Sequence, residues 1–98
     1  PTFDFSKPLT FHAPDEKNFP MPALARESLR IGGNAPCALN AANEAAVGLF
    51  LKHKIGFYDI YEIVKGVLST LSVIEKPTLQ DILNTYDEIV GKLMRDYR

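Results

Sequence analysis

Leu39-Asn40-Ala41-Ala42-Asn43-Glu44-Ala45-Ala46-Val47 is the stretch on which the reading of this chain turns. Alanine is the strongest helix former, whereas asparagine competes for backbone groups with its own side chain. Two asparagines set into an alanine-rich helix therefore mark a second, specific surface. Helical spacing puts Asn40 beside Asn43 and Glu44, and Val47 continues that face. Leu39, Ala42, Ala46 and Leu49 fall on the opposite face and are expected in a core. The small residues Ala41, Ala42, Ala45, Ala46 and Gly48 let another element approach the helix closely.

The signals around this stretch extend the helix in both directions. Asn34 is placed as its N-cap and Pro36 in its first turn, where a missing N–H costs nothing. Phe50 and His53 follow the core face, and the helix is expected to end near Lys54. Lys52, His53 and Lys54 then complement the negative end of the dipole. Upstream, Met21, Leu24, Ala25, Ser28 and Leu29 recur at helical spacing, with Pro22 suited to the first turn and Gly32-Gly33 as the stop. That helix is about ten residues long.

Downstream, Ile55-Gly56-Phe57-Tyr58 reads as a connection, and Tyr58 or Asp59 opens a third helix with the stripe Ile60, Ile63, Val64, Val67, Leu68 and Leu71. Lys76-Pro77 interrupts. Thr78 and Asp81 approximate a capping box for a fourth helix. It carries Leu79, Ile82, Leu83, Tyr86, Ile89, Val90, Leu93 and Tyr97, with Glu88 and Lys92 as an i, i+4 ion pair. The first twenty residues differ. Pro1, Pro8, Pro14 and Pro20 exclude regular helix there, and Phe3, Phe5, Leu9 and Phe11 alternate as in an extended segment with one buried face. The expected fold is all-α: a compact bundle of four helices over residues 21–98, preceded by an extended proline-rich lead-in over residues 1–20.

The composition bounds the function. Of 98 residues, 46% are hydrophobic and 23% charged, which is ordinary for a globular domain. A chain of this size builds one modest core and leaves little room for a large enclosed pocket. The net charge is −1 with the basic residues scattered, which disfavours nucleic-acid binding. The single cysteine, Cys37, excludes an internal disulfide and points to a reducing cytoplasm. No apolar run approaches a membrane span, and no basic start followed by an apolar stretch marks a signal peptide. The chain begins with Pro1 and not methionine, so it is expected to belong to something longer.

Candidate chemistry is sparse. Asn40, Asn43 and Glu44 fit either a ligand or metal site, or a structural role in which the amides bond a neighbouring backbone and Glu44 pairs with a basic side chain. The structural role is preferred, because one carboxylate and two amides are poor zinc ligands and an incomplete magnesium set. His12 and His53 have no partner at ligand spacing. Cys37 lies in a first turn, where a helix dipole can lower a thiol pKa, but a packed role is the simpler reading. Gly32-Gly33-Asn34 lacks the strand, the further glycines and the lysine of phosphate loops.

One resemblance runs through the chain. Leu9-Thr10-Phe11 with Ala13-Pro14-Asp15, Phe19-Pro20, Leu24-Ala25, Gly32-Gly33 with Pro36, the Leu39–Glu44 run with Ala46-Val47, Phe50-Leu51, and Ile55-Gly56-Phe57 with Asp59-Ile60 occur in order. Over residues 9–60 the chain resembles the C-terminal domain of 1-deoxy-D-xylulose 5-phosphate reductoisomerases, and beyond residue 60 it resembles that domain only as a helical tail. Met21 departs from the pattern, standing where the family often has cysteine. The resemblance implies a parent enzyme that rearranges and reduces 1-deoxy-D-xylulose 5-phosphate to 2-C-methyl-D-erythritol 4-phosphate on the way to isoprenoid precursors. NADPH and a divalent metal, Mg or Mn, would be held by an NADPH-binding domain and a catalytic domain absent from this sequence. It assigns no catalytic, cofactor or metal residue here. Asn40, Asn43, Glu44, Phe11 and Asp15 stand as structural or interface candidates, and the implied role is to brace the catalytic domain. The alternative is an independent helical interaction module without enzymatic role. The implied compartment is the cytoplasm, or a plastid-type organelle in a eukaryote. A homo-dimer of the isolated chain through residues 1–20 is the expected self-assembly.

Overall fold

A computed structural model describes residues 21–97. The expectations for residues 1–20, with Phe11, His12 and Asp15 among them, lie outside the described residues. Within the described residues the chain forms four helices: α1 Met21–Ile31, α2 Ala35–Leu51, α3 Phe57–Thr70 and α4 Leu79–Asp96. None is long and apolar enough to cross a membrane.

The alanines of α2 decide how the helices assemble. Ala35, Ala38, Ala41, Ala42 and Ala46 are fully buried, and Ala45 and Leu49 nearly so. A methyl group is the smallest side chain that still presents apolar surface, so neighbouring backbones come close. Each of the other three helices packs on α2. The bulk of the core comes from outside it: Ile60, Ile63 and Val64 of α3 and Leu93 of α4 close over Ala42, Ala45 and Ala46. Met21 and Leu24 of α1 pack against the same cluster, as do Ile89, Val90 and Met94 of α4. Met21 is thus a packing residue.

Several details differ from the periodic reading. In α1 Leu29, expected on the inward stripe, is exposed, while Ser28 of the same stripe is buried as placed, its hydroxyl donating to the Ala25 carbonyl at 2.8 Å. Helix α3 opens at Phe57, earlier than expected, because Asp59 Oδ2 reaches back to accept the Gly56 N–H at 2.8 Å. In α4 the capping box forms as expected: the Asp81 N–H donates to Thr78 Oγ1, and the Thr78 N–H to Asp81 Oδ2, both at 3.0 Å. The inward line of α4, however, takes Thr85 along with Leu93. Leu79 is left 73% exposed, and Leu83 and Tyr97 are exposed as well. Lys92 pairs with Asp96 at 2.6 Å, not with Glu88.

The end of α2 is the clearest correction. The helix stops at Leu51, and His53, expected on the core face, is exposed with a φ of 62°. Its N–H donates to the Phe50 carbonyl and the Lys54 N–H to the Leu49 carbonyl, each at 2.9 Å. This is the Schellman pattern, in which glycine is the usual residue at the left-handed position. Histidine's Cβ makes that conformation costly by about 1–2 kcal/mol, partly offset by glycine's larger unfolded-state entropy. His53→Gly is therefore expected to stabilise the chain by up to about 1 kcal/mol, a rise in melting temperature of about 4–8 °C. Thermal unfolding followed by circular dichroism measures it, and a lowered midpoint contradicts the assignment of strain.

Candidate functional site

The Gly32-Gly33-Asn34 turn between α1 and α2 organises the most connected polar cluster among the described residues. Gly32 and Gly33 both have positive φ, 75° and 57°. Gly33 has a second requirement: a Cβ there would lie 2.1 Å from the Ile74 carbonyl oxygen. That close approach brings the connection between α3 and α4 against the turn, and Asn34 holds it there. Asn34 occupies the N-cap position as expected, but its side chain does not cap. It is 1% exposed and spans the molecule. Its Oδ1 accepts the Ile74 N–H at 2.9 Å, while its amide donates to Thr85 Oγ1 at 3.1 Å and to the Ser72 carbonyl at 3.3 Å. The Asn34 backbone N–H adds a bond to the Ile74 carbonyl at 3.2 Å. Thr85 in turn donates to the Asp81 carbonyl at 2.9 Å. One buried amide thus ties α2, the 71–78 connection and α4 together.

The polar triplet occupies the opposite, outer side of α2. Asn40 and Glu44 are exposed and Asn43 is half-buried, with Val47 continuing the exposed stripe. Neither Asn40 nor Asn43 has a side-chain hydrogen bond to another described residue. Glu44 has a partner, but it is not the expected basic residue: it accepts the Tyr86 phenol O–H. The triplet is therefore not one bonded cluster; its carboxylate ties α2 to α4, and its two amides face outward.

Cys37 is half-buried, with its Sγ 3.6 Å from the Ile82 carbonyl. Burial pushes its thiol pKa up, against the direction a helix dipole would take it. Among the described residues no group of three or more His, Cys, Asp or Glu is gathered as a metal site. The residues the sequence reading missed are Thr85 and Tyr86 as polar partners, and the latch role of Asn34. The available signal was Thr85 itself, a polar residue at a periodic position of an otherwise apolar line.

Together these features define an all-α domain whose specialised polar residues fasten its own elements and leave a row of amides outside. The chain belongs to the DXP reductoisomerase C-terminal domain family, whose model matches residues 1–90. The match runs well past residues 9–60, so the helical tail is part of it. The chain is similar to a 1-deoxy-D-xylulose 5-phosphate reductoisomerase of Acetivibrio thermocellus, 54% identical over 76 residues that make up 78% of this chain and 20% of the relative. It is similar to another of Thermoanaerobacter sp., 42% identical over 95 residues, 97% of this chain and 25% of the relative. A third, from Caulobacter vibrioides, is 53% identical over 64 residues, 65% of this chain and 16% of the relative. The chain thus spans a quarter or less of the curated relatives it matches. No solved structure matches it significantly.

Two outcomes follow from this geometry. Asn34→Ala strands the Ile74 N–H without its acceptor and removes the amide donor from Thr85 and Ser72. The stranded Ile74 N–H and Ser72 carbonyl are only part-buried and Thr85 keeps its bond to the Asp81 carbonyl, so a loss of about 1–3 kcal/mol is expected. Urea unfolding measures it, and a loss below about 1 kcal/mol would show that water replaces the latch. The second concerns alkaline pH. The hydrogen bond to Glu44, reinforced by that carboxylate's charge, raises the Tyr86 pKa above the ordinary 10.0. The folded state therefore holds this proton more tightly than the unfolded state. Its contribution is fully present below about pH 10 and is lost as pH rises through the raised folded value. Stability of the parent chain should fall more steeply above pH 10 than that of Tyr86→Phe, and parallel profiles would refute the coupling.

Proposed function

We propose that this chain serves as the C-terminal bracing domain of a 1-deoxy-D-xylulose 5-phosphate reductoisomerase. The observation that carries this reading is the family match over residues 1–90, joined to relatives of which the chain covers a quarter or less. In that reading the parent enzyme rearranges and reduces 1-deoxy-D-xylulose 5-phosphate with NADPH and a divalent metal, in the cytoplasm. The cofactor and metal belong to domains outside these 98 residues. The domain's division is a lead-in over residues 1–20 and a helical body over 21–98.

The outward amides support the bracing role. Asn40 and Asn43 cost helix propensity at about 0.5 kcal/mol each relative to alanine, with no bond to a described residue in return. Such residues fit a surface whose partner lies elsewhere: the catalytic domain, or the lead-in with Phe11 and Asp15. The fully buried latch at Asn34 complements them, since a brace transmits position only if its own elements are fixed. The rival reading, an independent interaction module, has no observation of its own in its favour. A homo-dimer exchanging residues 1–20 is the assembly that apolar segment forms if nothing in its own chain covers it.

One experiment separates the readings. The reading frame upstream of the Pro1 codon should encode a segment about three times as long as the 95 residues matched in the Thermoanaerobacter relative. Calorimetric titration of the 98-residue chain with NADPH should show no saturable binding, whereas the longer product should bind it and oxidise it with substrate and Mg²⁺. A start codon immediately upstream, or saturable nucleotide binding by the 98-residue chain, overturns the proposal.

A further inference from the structure

Helix α2 leaves one continuous line open. Asn40, Asn43, Glu44, Val47, Gly48 and Leu51 share a face, opposite the alanines on which the other three helices pack. Val47 is 36% exposed and Leu51 69%. Three positions of this line weaken the helix without serving the described fold. Asn40 and Asn43 have no side-chain hydrogen bond to another described residue. Gly48 is a poor helix former. Its φ is not positive, and a Cβ there would meet nothing within 4 Å. Neither conformation nor packing among the described residues therefore asks for glycine at this point.

The same two residue types are seen with an occupant at the turn that precedes α2. There Gly33 lets the Ile74 carbonyl come close, and Asn34 grips the backbone at Ser72 and Ile74 with both ends of its amide. What fills that seat is main chain without regular secondary structure, residues 71–78. Such a segment offers N–H and C=O groups that it cannot pair within itself, whereas a helix pairs nearly all of its own. The outer line of α2 repeats the asparagine and glycine with the seat open. From Asn40 to Leu51 it rises about 17 Å, the length of about five extended residues.

The length of the relatives supplies the source of an occupant. The 95 matched residues make up 25% of the Thermoanaerobacter relative, so most of such a protein lies outside this chain. We infer that the outer face of α2 seats an extended main-chain segment from the remainder of the parent enzyme. Asn40 and Asn43 grip its N–H and C=O groups, its backbone passes close over Gly48, and an apolar side chain of the segment rests on Val47 and Leu51. Such an occupant exists only if this chain is a domain of the longer enzyme, the reading on which this proposal rests.

The test compares the 98-residue chain with the product of the reading frame extended upstream. Each carries Val47→Cys, with alkylation located by fragment mass spectrometry and helix content followed by circular dichroism. Alkylation follows thiol exposure, so it should be about tenfold slower in the longer product. Adding Asn40→Ala with Asn43→Ala should restore most of the rate there and leave the 98-residue chain unchanged. Equal rates in the two lengths overturn the proposal, as does slowing that survives the loss of both amides. Slowing already present in the 98-residue chain, and lost when it begins at Pro20 or when its dimer dissociates, also overturns it, because the occupant is then the lead-in or a second copy. Should Val47→Cys lose its helix content, Gly48→Ala decides. It should raise the melting midpoint of the 98-residue chain and lower that of the longer product, and a rise in both refutes the seat. Oxidation of NADPH by the longer product reports on the parent enzyme separately. With that activity present and Val47→Cys equally exposed in both lengths, only the seat fails; with no longer product encoded, both readings fail.

Discussion

Close packing around the alanine face of α2 is the constraint from which the rest of the structure follows. Three helices share one partner, and they can do so only because Ala35, Ala38, Ala41, Ala42, Ala45 and Ala46 occupy so little radius. Alanine also orders at no side-chain entropy cost. The consequence is an inverted division of labour. The central helix supplies proximity, and the peripheral helices supply bulk through Ile60, Ile63, Val64 and Leu93. Interiors packed to such density tolerate added volume poorly, so the alanines leave little choice of residue.

Because α3 and α4 meet mainly through α2, the connection between them needs its own fastening. Residues 71–78 have no regular secondary structure. Their backbone groups at Ser72 and Ile74 are satisfied by the side chain and backbone of Asn34, far away in sequence. Buried polar groups need such partners, and a neutral amide with both a donor and an acceptor serves a backbone better than a hydroxyl could. The Gly33 approach to Ile74 and the Asn34 bonds are one device seen from two sides.

The asparagines of α2 and its flank thus divide by direction. Asn34 turns inward and is consumed by the fold, while Asn40 and Asn43 turn outward and are bonded to nothing else described. Glu44 sits between these roles, exposed yet tied to Tyr86. That separation gives the family membership a structural meaning: the same helix that gathers the domain also carries a face that the domain itself does not use.

Much of this was legible in the sequence. The 3.6-residue spacing located four helices, glycine and proline located their ends, and Thr78 with Asp81 marked the cap of α4, because these are local effects within one or two turns. The Leu39–Val47 run declared both its buried and its outward face, and its motif pointed to the family. Tertiary structure alone decided the rest. Periodicity ranks faces but does not say which part of a stripe meets a neighbour, so Leu29, Leu79 and Leu83 were expected inside and lie outside. Periodicity placed Ser28 on the inward stripe of its helix and Thr85 in the apolar line of α4, but it could not show that Thr85 is held there by the amide of Asn34, which lies far away in sequence. The partner of Glu44 and the latch at Asn34 arise from groups that only the folded chain brings within hydrogen-bonding distance, whereas the left-handed end at His53 is a local turn that no glycine marks.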